Sequence, residues 1–307
     1  MNWVSIINFS IIYILLIWII CLLVIIIWGV AVYGITSMCG KGYDGLKDVL
    51  RCVKNNDKDY MNFGYWETDK ITLAEANTKL SDLTINQLKN KGGRTLDVGC
   101  GYGEQDIYWI KRYKMNITAI DISKKQINEC KEKAKRENLK GIKFMKASAT
   151  NLPFEDKSYD NIVCLESAFH YKPRTDFFKE SYRVLKEESE MVIADLTVKK
   201  NMYGIQPSVM IAFFKKLLSV PDENLITTVE YVKQLEKEGY SVETQDITEQ
   251  TFQPYFKHFF KNLKMPNMIF RAVFDSVGYM IIKNLKGFPF EYTVYKCKKG
   301  EIVRKKL

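Results

Sequence analysis

The chain has 307 residues, 47% of them hydrophobic and 27% charged, with a formal net charge of +10. This is globular composition, so a disordered or collagen-like chain is excluded and the length suits one large domain or two small ones. The average hides an asymmetry: residues 3–32 carry no charged side chain, and residues 11–32 are an almost unbroken run of Ile, Leu, Val and Trp.

As a helix rising about 1.5 Å per residue, that run is about 33 Å long, enough to cross a hydrocarbon core about 30 Å thick. A cleaved signal peptide carries a basic leader and a shorter apolar region, whereas here no Lys or Arg precedes the run. The expectation is a retained N-terminal transmembrane helix within residues 1–36, then a linker over 37–60. Lys41, Lys47, Arg51 and Lys54 follow the run, and that bias predicts a single-pass membrane protein whose large C-terminal part is cytoplasmic. The seven cysteines show no CxxC spacing, and one lies inside the apolar run. That fits neither a disulfide framework nor a zinc site, so no metal is expected and a reducing compartment fits best. Residues 251–307 hold twelve Lys/Arg against three Asp/Glu, a basic surface that is either simply solvated or lies against anionic headgroups.

Beyond the linker the pattern alternates. Short β-type runs are predicted at residues 94–98, 116–120, 142–145, 161–165 and 191–194. Helices are predicted at 103–113, at 123–138 with Ser123 as N-cap, and at 175–185. Strands alternating with helices predict an α/β, mostly parallel sheet with helices on both faces, which binds ligand at the carboxyl ends of its strands. After Asp195 the rhythm breaks into helical stretches at 207–220, 227–238 and 252–285, interrupted only at 241–248. They are read as a helical cap over about 201–286. Residues 292–298 alternate and are predicted to close the domain as an edge strand.

The most informative segment is Asp97-Val98-Gly99-Cys100-Gly101-Tyr102-Gly103, which follows the first strand and opens a helix. Glycines there allow a tight turn and close ligand approach, and the helix N-terminus offers N–H groups to an anion. Asp121 ends the next strand, where a carboxylate can accept both hydroxyls of a ribose. This DxGxGxG spacing resembles motif I of the class I S-adenosylmethionine-dependent methyltransferases. Three further segments extend the resemblance across about residues 60–300, in a methyltransferase domain read as 61–307: Asn62-Phe63-Gly64-Tyr65-Trp66, Ala147-Ser148-Ala149-Thr150-Asn151-Leu152-Pro153-Phe154, and Glu166-Ser167-Ala168-Phe169-His170-Tyr171. The terminal Phe290–Tyr295 segment brings it nearest to lipid O-methyltransferases of the phthiotriol dimycocerosate type. Glu187-Glu188-Ser189 departs from it, because the family usually has a Pro-Gly-Gly turn there.

The resemblance implies a Rossmann-like seven-stranded fold with S-adenosyl-L-methionine as cofactor. It puts Asp97, Gly99, Gly101 and Gly103 in the glycine loop, and Asp121 with neighbouring Ile122 at the adenosine. Ser148 and Ala149 fall at the adenine, Ser148 standing where many members have an acid, and Tyr65 falls over the methionine end. Removing a proton from an oxygen nucleophile needs a base. His170, just past the fourth strand, is the candidate, with Asp195 as its orienting partner. His258 is read as a packing or surface residue. An aromatic and Met-bearing cap (Phe252, Phe256, Phe259 and others) means core or substrate site. The expected partners are the membrane and a small hydrophobic or lipid-like acceptor, a hydroxyl first, with C- or N-methylation or a silent interaction protein as alternatives. A nicotinamide dehydrogenase is disfavoured because GxGxxG is absent. No nucleic-acid partner is expected, because an Asn/Asp-Pro-Pro-aromatic base-flipping signature is absent too.

Overall fold

The computed structural model describes residues 58–200, 211–212, 215–216, 218–262 and 288–300. Helix α1 (Leu73–Ile85) precedes β1 (Arg94–Val98), α2 (Glu104–Tyr113), β2 (Asn116–Asp121), α3 (Lys124–Arg136), β3 (Ile142–Lys146), β4 (Tyr159–Leu165), α4 (Arg174–Val184) and β5 (Leu185–Val198). Helix α5 (Thr228–Lys237), β6 (Tyr240–Asp246), α6 (Thr248–Asn262) and β7 (Phe290–Lys299) complete the described elements. The strands form one seven-stranded sheet in the order β3-β2-β1-β4-β5-β7-β6. Strands β1 to β5 pair in parallel, and β7 runs antiparallel to both its neighbours, so the sheet is mixed. Winding reverses between β1 and β4, which opens a crevice at their carboxyl ends.

Strand periodicity decides which helices cover which face. Val163, Val192, Ala194 and Val294 point to a core shared with Leu80 of α1, Trp109 of α2, Ile127 of α3 and Phe252 of α6. Ile162, Met191, Ile193 and Tyr295 point the other way, onto Phe177 and Phe178 of α4 and Tyr231 and Leu235 of α5. Successive residues of a strand face opposite sides, so a sheet covered on both faces reads as continuous apolar runs. Helix α3 starts as expected, with Ser123 Oγ accepting from Gln126 N at 3.3 Å. Helix α1 was not among the expected elements, although Thr72-Leu73-Ala74-Glu75 carries its signal. Thr72 Oγ1 accepts from Glu75 N at 3.2 Å, and Glu75 Oε2 accepts from Thr72 N at 2.7 Å, a reciprocal capping box.

Three expectations are corrected. Strand β7 is not an edge strand: it lies between β5 and β6, pairing with β5 from Glu190↔Lys298 to Val198↔Phe290. The edge is β6, read from the sequence only as an interruption, and its exposed polar residues suit that position. Helix α5 is not a cap. It belongs to the layer covering the second face, where Tyr231 stacks on Tyr295 at 4.3 Å. Strand β5 also runs beyond residues 191–194, because β7 pairs along it through Val198. Its register with β4 shifts where the Pro-Gly-Gly turn was missing, and Glu188 takes the left-handed conformation there (φ 58°). Among the described residues no helix is long and apolar enough to cross a membrane. The expected anchor and most of the linker lie outside the described residues, as does most of the expected cap.

Candidate active site

The loop between β1 and α2 occupies the crevice. Gly99, Gly101 and Gly103 all have positive φ (84°, 56° and 70°), a region side chains with a Cβ resist. The amides of Gly99 and Cys100 both donate to Ile120 O, at 2.8 and 3.0 Å, which ties the loop to β2. Gly99 is packed shut: a Cβ there would lie 1.9 Å from Ser167 Oγ and 2.6 Å from Tyr171 Oη. Gly101 is open: among the described residues, Met61 Cγ at 3.8 Å is the only heavy atom a Cβ would approach. Bare backbone at Gly101 is therefore where a ligand can come closest.

Asp121 ends β2 beside this opening. Its Oδ2 accepts from Gly101 N at 3.1 Å and its Oδ1 from Ser123 N at 2.8 Å, so the carboxylate is aimed by two backbone amides. Burial raises its pKa and those amides pull against the rise. The next side chain, Ile122, is 62% exposed, an apolar surface at a strand end. Ala147 N donates to Asp121 O at 3.1 Å and brings the next loop alongside. In that loop Ser148 Oγ accepts from Thr150 N at 3.3 Å, so the Ser148 hydroxyl is engaged in its own turn. A carboxylate, an apolar side chain and backbone edges side by side can hold a ribose diol and a purine.

Asp97 lies beneath the loop rather than on its surface. It is fully buried, and its Oδ2 accepts from Gln105 Nε2 at 3.1 Å. The same Gln105 amide donates to Cys100 O at 3.2 Å. Asp97 also meets the buried Asp106, a residue sequence reasoning missed. Asp97 Oδ1 and both Asp106 oxygens find no donor among the described residues, so two neighbouring buried acids favour their protonated forms. Burial pushes Asp97 up to about 7, and burial together with the Asp97 charge pushes Asp106 well above the carboxylate range.

Tyr65 sits half-buried in a segment that crosses the mouth of the crevice. Gly64 (φ 77°) lets that segment turn against α1, and Tyr65 N donates to Ala76 O at 2.8 Å. Asn77 Nδ2 donates to Asn62 O and Oδ1. Glu166, also missed as a site residue, reaches this segment from the end of β4. Its Oε1 accepts from Phe63 N at 2.8 Å and from Tyr292 Oη at 2.7 Å. Burial pushes its pKa up to about 8, so the carboxyl is largely protonated at neutral pH. An acidic residue directly after a strand with its carboxyl end at the crevice was the available signal.

His170 ends a one-turn helix (Ala168–His170) after β4. Its Nδ1 lies 3.5 Å from Ser219 O, and burial draws its pKa down to about 4. The expected pairing with Asp195 is corrected. Asp195 falls within β5, on the face of the sheet covered by α4 and α5, where its Oδ2 accepts from Tyr231 Oη at 2.9 Å and lies 3.9 Å from Arg174 Nη1. It serves as the counter-charge of a buried guanidinium. The described aromatic residues of α6 are mainly core: Phe252 and Phe256 pack on Phe63, Phe288 and Tyr292. His258 packs against Trp66, with ring centroids 5.0 Å apart.

Residues 96–193, which hold the glycine loop, Asp121 and His170, match the methyltransferase domain family. Over 217 residues the chain is 33% identical to the erythromycin 3''-O-methyltransferase of Saccharopolyspora erythraea, covering 67% of this chain and 70% of that one. It is 31% identical over 169 residues to the 27-O-demethylrifamycin SV methyltransferase of Amycolatopsis mediterranei, covering 54% of this chain and 61% of that one. The phthiotriol/phenolphthiotriol dimycocerosates methyltransferase of Mycobacterium leprae is 29% identical over 146 residues, 45% of this chain and 53% of the relative. The fold is shared with the cyclopropane synthase MmaA2 of Mycobacterium tuberculosis, with a TM-score of 0.69 at 16% identity, covering 86% of this chain and 98% of that one. With a third of its aligned residues shared across most of one O-methyltransferase, the chain belongs to the S-adenosyl-L-methionine-dependent methyltransferases, and S-adenosyl-L-methionine is its methyl donor.

Proposed function

We propose that this methyltransferase acts on a hydroxyl of a small hydrophobic or lipid-like acceptor. The observation that carries the reading is the kinship with the erythromycin 3''-O-methyltransferase and the 27-O-demethylrifamycin SV methyltransferase, the first two relatives above. The donor supplies an electrophilic methyl group on a sulfonium, and the chain's residues hold it and deprotonate the acceptor. In this reading Asp121 accepts the ribose hydroxyls, Ile122 packs on the adenine face and the Ser148-Ala149 backbone meets the adenine edge. Gly101 lets the cofactor lie against bare backbone, with Gly99 and Gly103 shaping the turn and Asp97 bracing it from below. Tyr65 covers the methionine end.

His170 is the proposed general base. With its pKa at about 4, the imidazole is neutral across the physiological range and can accept a proton. An Nδ1–H directed at Ser219 O makes Nε2 the basic nitrogen. Asp195 takes no part in this step.

The membrane attachment and cytoplasmic placement read from the sequence are part of the proposal. They are supported by the apolar run at residues 11–32 and the basic residues that follow it. Such attachment puts the site beside a source of hydrophobic acceptors. The test is incubation of the detergent-solubilised full chain with methyl-labelled S-adenosylmethionine and a total lipid extract, followed by mass spectrometry. A labelled methyl ether or ester is expected. A label on carbon or nitrogen refutes the hydroxyl reading, and release of the chain from membranes by carbonate refutes the anchor.

A further inference from the structure

Residues 59–66 cross the mouth of the crevice and are tied to four separate elements. Asp59 pairs with Lys133 of α3 at 3.0 Å, and the same ammonium holds Glu104 of α2 at 2.6 Å and donates to Tyr102 O at 3.2 Å. Asn77 of α1 grips Asn62, and Trp66 N donates to Gln250 O of α6 at 2.8 Å. Met61 reaches the open glycine, 3.8 Å from where a Cβ would stand on Gly101. The remaining tie is made by Glu166. Its Oε1 is the shared acceptor for Phe63 N, in the middle of the segment, and for Tyr292 Oη on β7. Glu166 itself has a left-handed backbone (φ 50°), with its amide donating to Ala194 O at 2.8 Å. A residue with a Cβ held in that conformation is strained, and such strain persists where the surroundings over-determine it.

We propose that Glu166 is a positioning residue: it latches residues 59–66 over the glycine loop and so sets how fast the cofactor leaves. The inference rests on the cofactor lying against Gly101, as proposed above. Of the ties on this segment, Glu166 alone reaches it from the end of β4, the strand that flanks the glycine loop. A protonated Glu and a Gln present the same carbonyl acceptor to Phe63 and Tyr292. The latch therefore needs an acceptor oxygen rather than a charge. Tyr255 of α6, Tyr292 of β7 and Asp195 of β5 are the titratable neighbours of this carboxyl. Both tyrosines are neutral donors at any working pH, and Asp195 is committed to Tyr231 and Arg174.

The test uses the full chain with S-adenosylhomocysteine as probe, following release by stopped-flow tryptophan fluorescence and hydrogen exchange in residues 61–66. Glu166→Ala should release the probe about tenfold faster, the scale of one unsatisfied buried donor. Exchange in 61–66 should rise while β1, β4 and β5 stay protected. Glu166→Gln should recover most of that loss. Tyr292→Phe, which keeps the ring packing and removes one donor, should shift release in the same direction by a smaller factor, and it serves if the alanine variant fails to fold. Wild-type release and exchange in Glu166→Ala, or in Tyr292→Phe where only that variant folds, overturns the latch. So does a Gln variant as impaired as Ala, since the carboxyl would then act by its charge or proton. Failure of the wild-type chain to bind S-adenosylhomocysteine instead overturns the cofactor site on which the inference rests.

Discussion

Gly101 and Gly99 have the same backbone requirement and opposite surroundings, so alanine at each separates ligand approach from packing. Gly101→Ala places a methyl at φ 56° in a space whose nearest heavy atom among the described residues is 3.8 Å away. Its folding cost is then the left-handed strain alone, about 1–2 kcal/mol, which lowers Tm by about 2–8 °C in a domain of this size. The methyl stands where the cofactor is proposed to meet the backbone, and overlap of about 1–3 kcal/mol weakens binding by roughly ten- to a hundredfold. Gly99→Ala adds the same strain plus a Cβ only 1.9 Å from Ser167 Oγ and 2.6 Å from Tyr171 Oη. The Tyr171 hydroxyl already donates to Val98 O at 3.0 Å and is hydrogen-bonded to Ser167 Oγ at 2.8 Å, so it has little room to yield. Its cost should reach about 2–5 kcal/mol, strain and overpacking together. Calorimetric titration with S-adenosylhomocysteine and differential scanning calorimetry on the three proteins measure both quantities. The reasoning is refuted if Gly101→Ala binds the probe as tightly as the parent, or if it melts as early as Gly99→Ala.

Three further outcomes are expected. His170→Ala should slow single-turnover methylation by about 10²–10⁴-fold while leaving the S-adenosylhomocysteine dissociation constant within a few-fold, and collapse of probe binding would make His170 structural. Because the imidazole titrates at about 4, the wild-type rate should fall on the acid side near pH 4, not near 6.5. Asp195→Ala should cost about 3–5 kcal/mol in chemical denaturation by stranding the buried Arg174, and a selective loss of turnover with intact stability would restore a catalytic role. Asp97 keeps its proton in the folded protein up to about pH 7, and Asp106 is held protonated beyond the carboxylate range, whereas unfolded carboxyls lose theirs near pH 4. The contribution of Asp97 is complete below about pH 4 and disappears as pH rises through about 7, and that of Asp106 falls in the same direction. Thermal melts of Asp106→Asn between pH 4 and 9 should be flatter than those of the parent, and parallel curves would show that Asp106 is not held protonated by burial.

Much of the cofactor side was legible in the chain because its determinants are contiguous. Glycines at 99, 101 and 103 between a strand and a helix dictate the turn by backbone sterics alone. Asp121 follows from strand length, and Ser123 from the need to cap a helix that starts at Lys124. Local physics also accounts for α1, whose Thr72/Glu75 capping box is contiguous in the sequence. What only the tertiary structure decided are the contacts between residues far apart in the chain. Strand β7 is central because β6 pairs on its outer side, and alternation within residues 292–298 carries no information about which neighbours a strand acquires. Asp195 turns away from His170 because it projects from the face of β5 covered by Arg174 and Tyr231, and that face is set by sheet assembly. Glu166 joins Phe63 and Tyr292, 103 and 126 positions away, a meeting that exists only once three segments have packed.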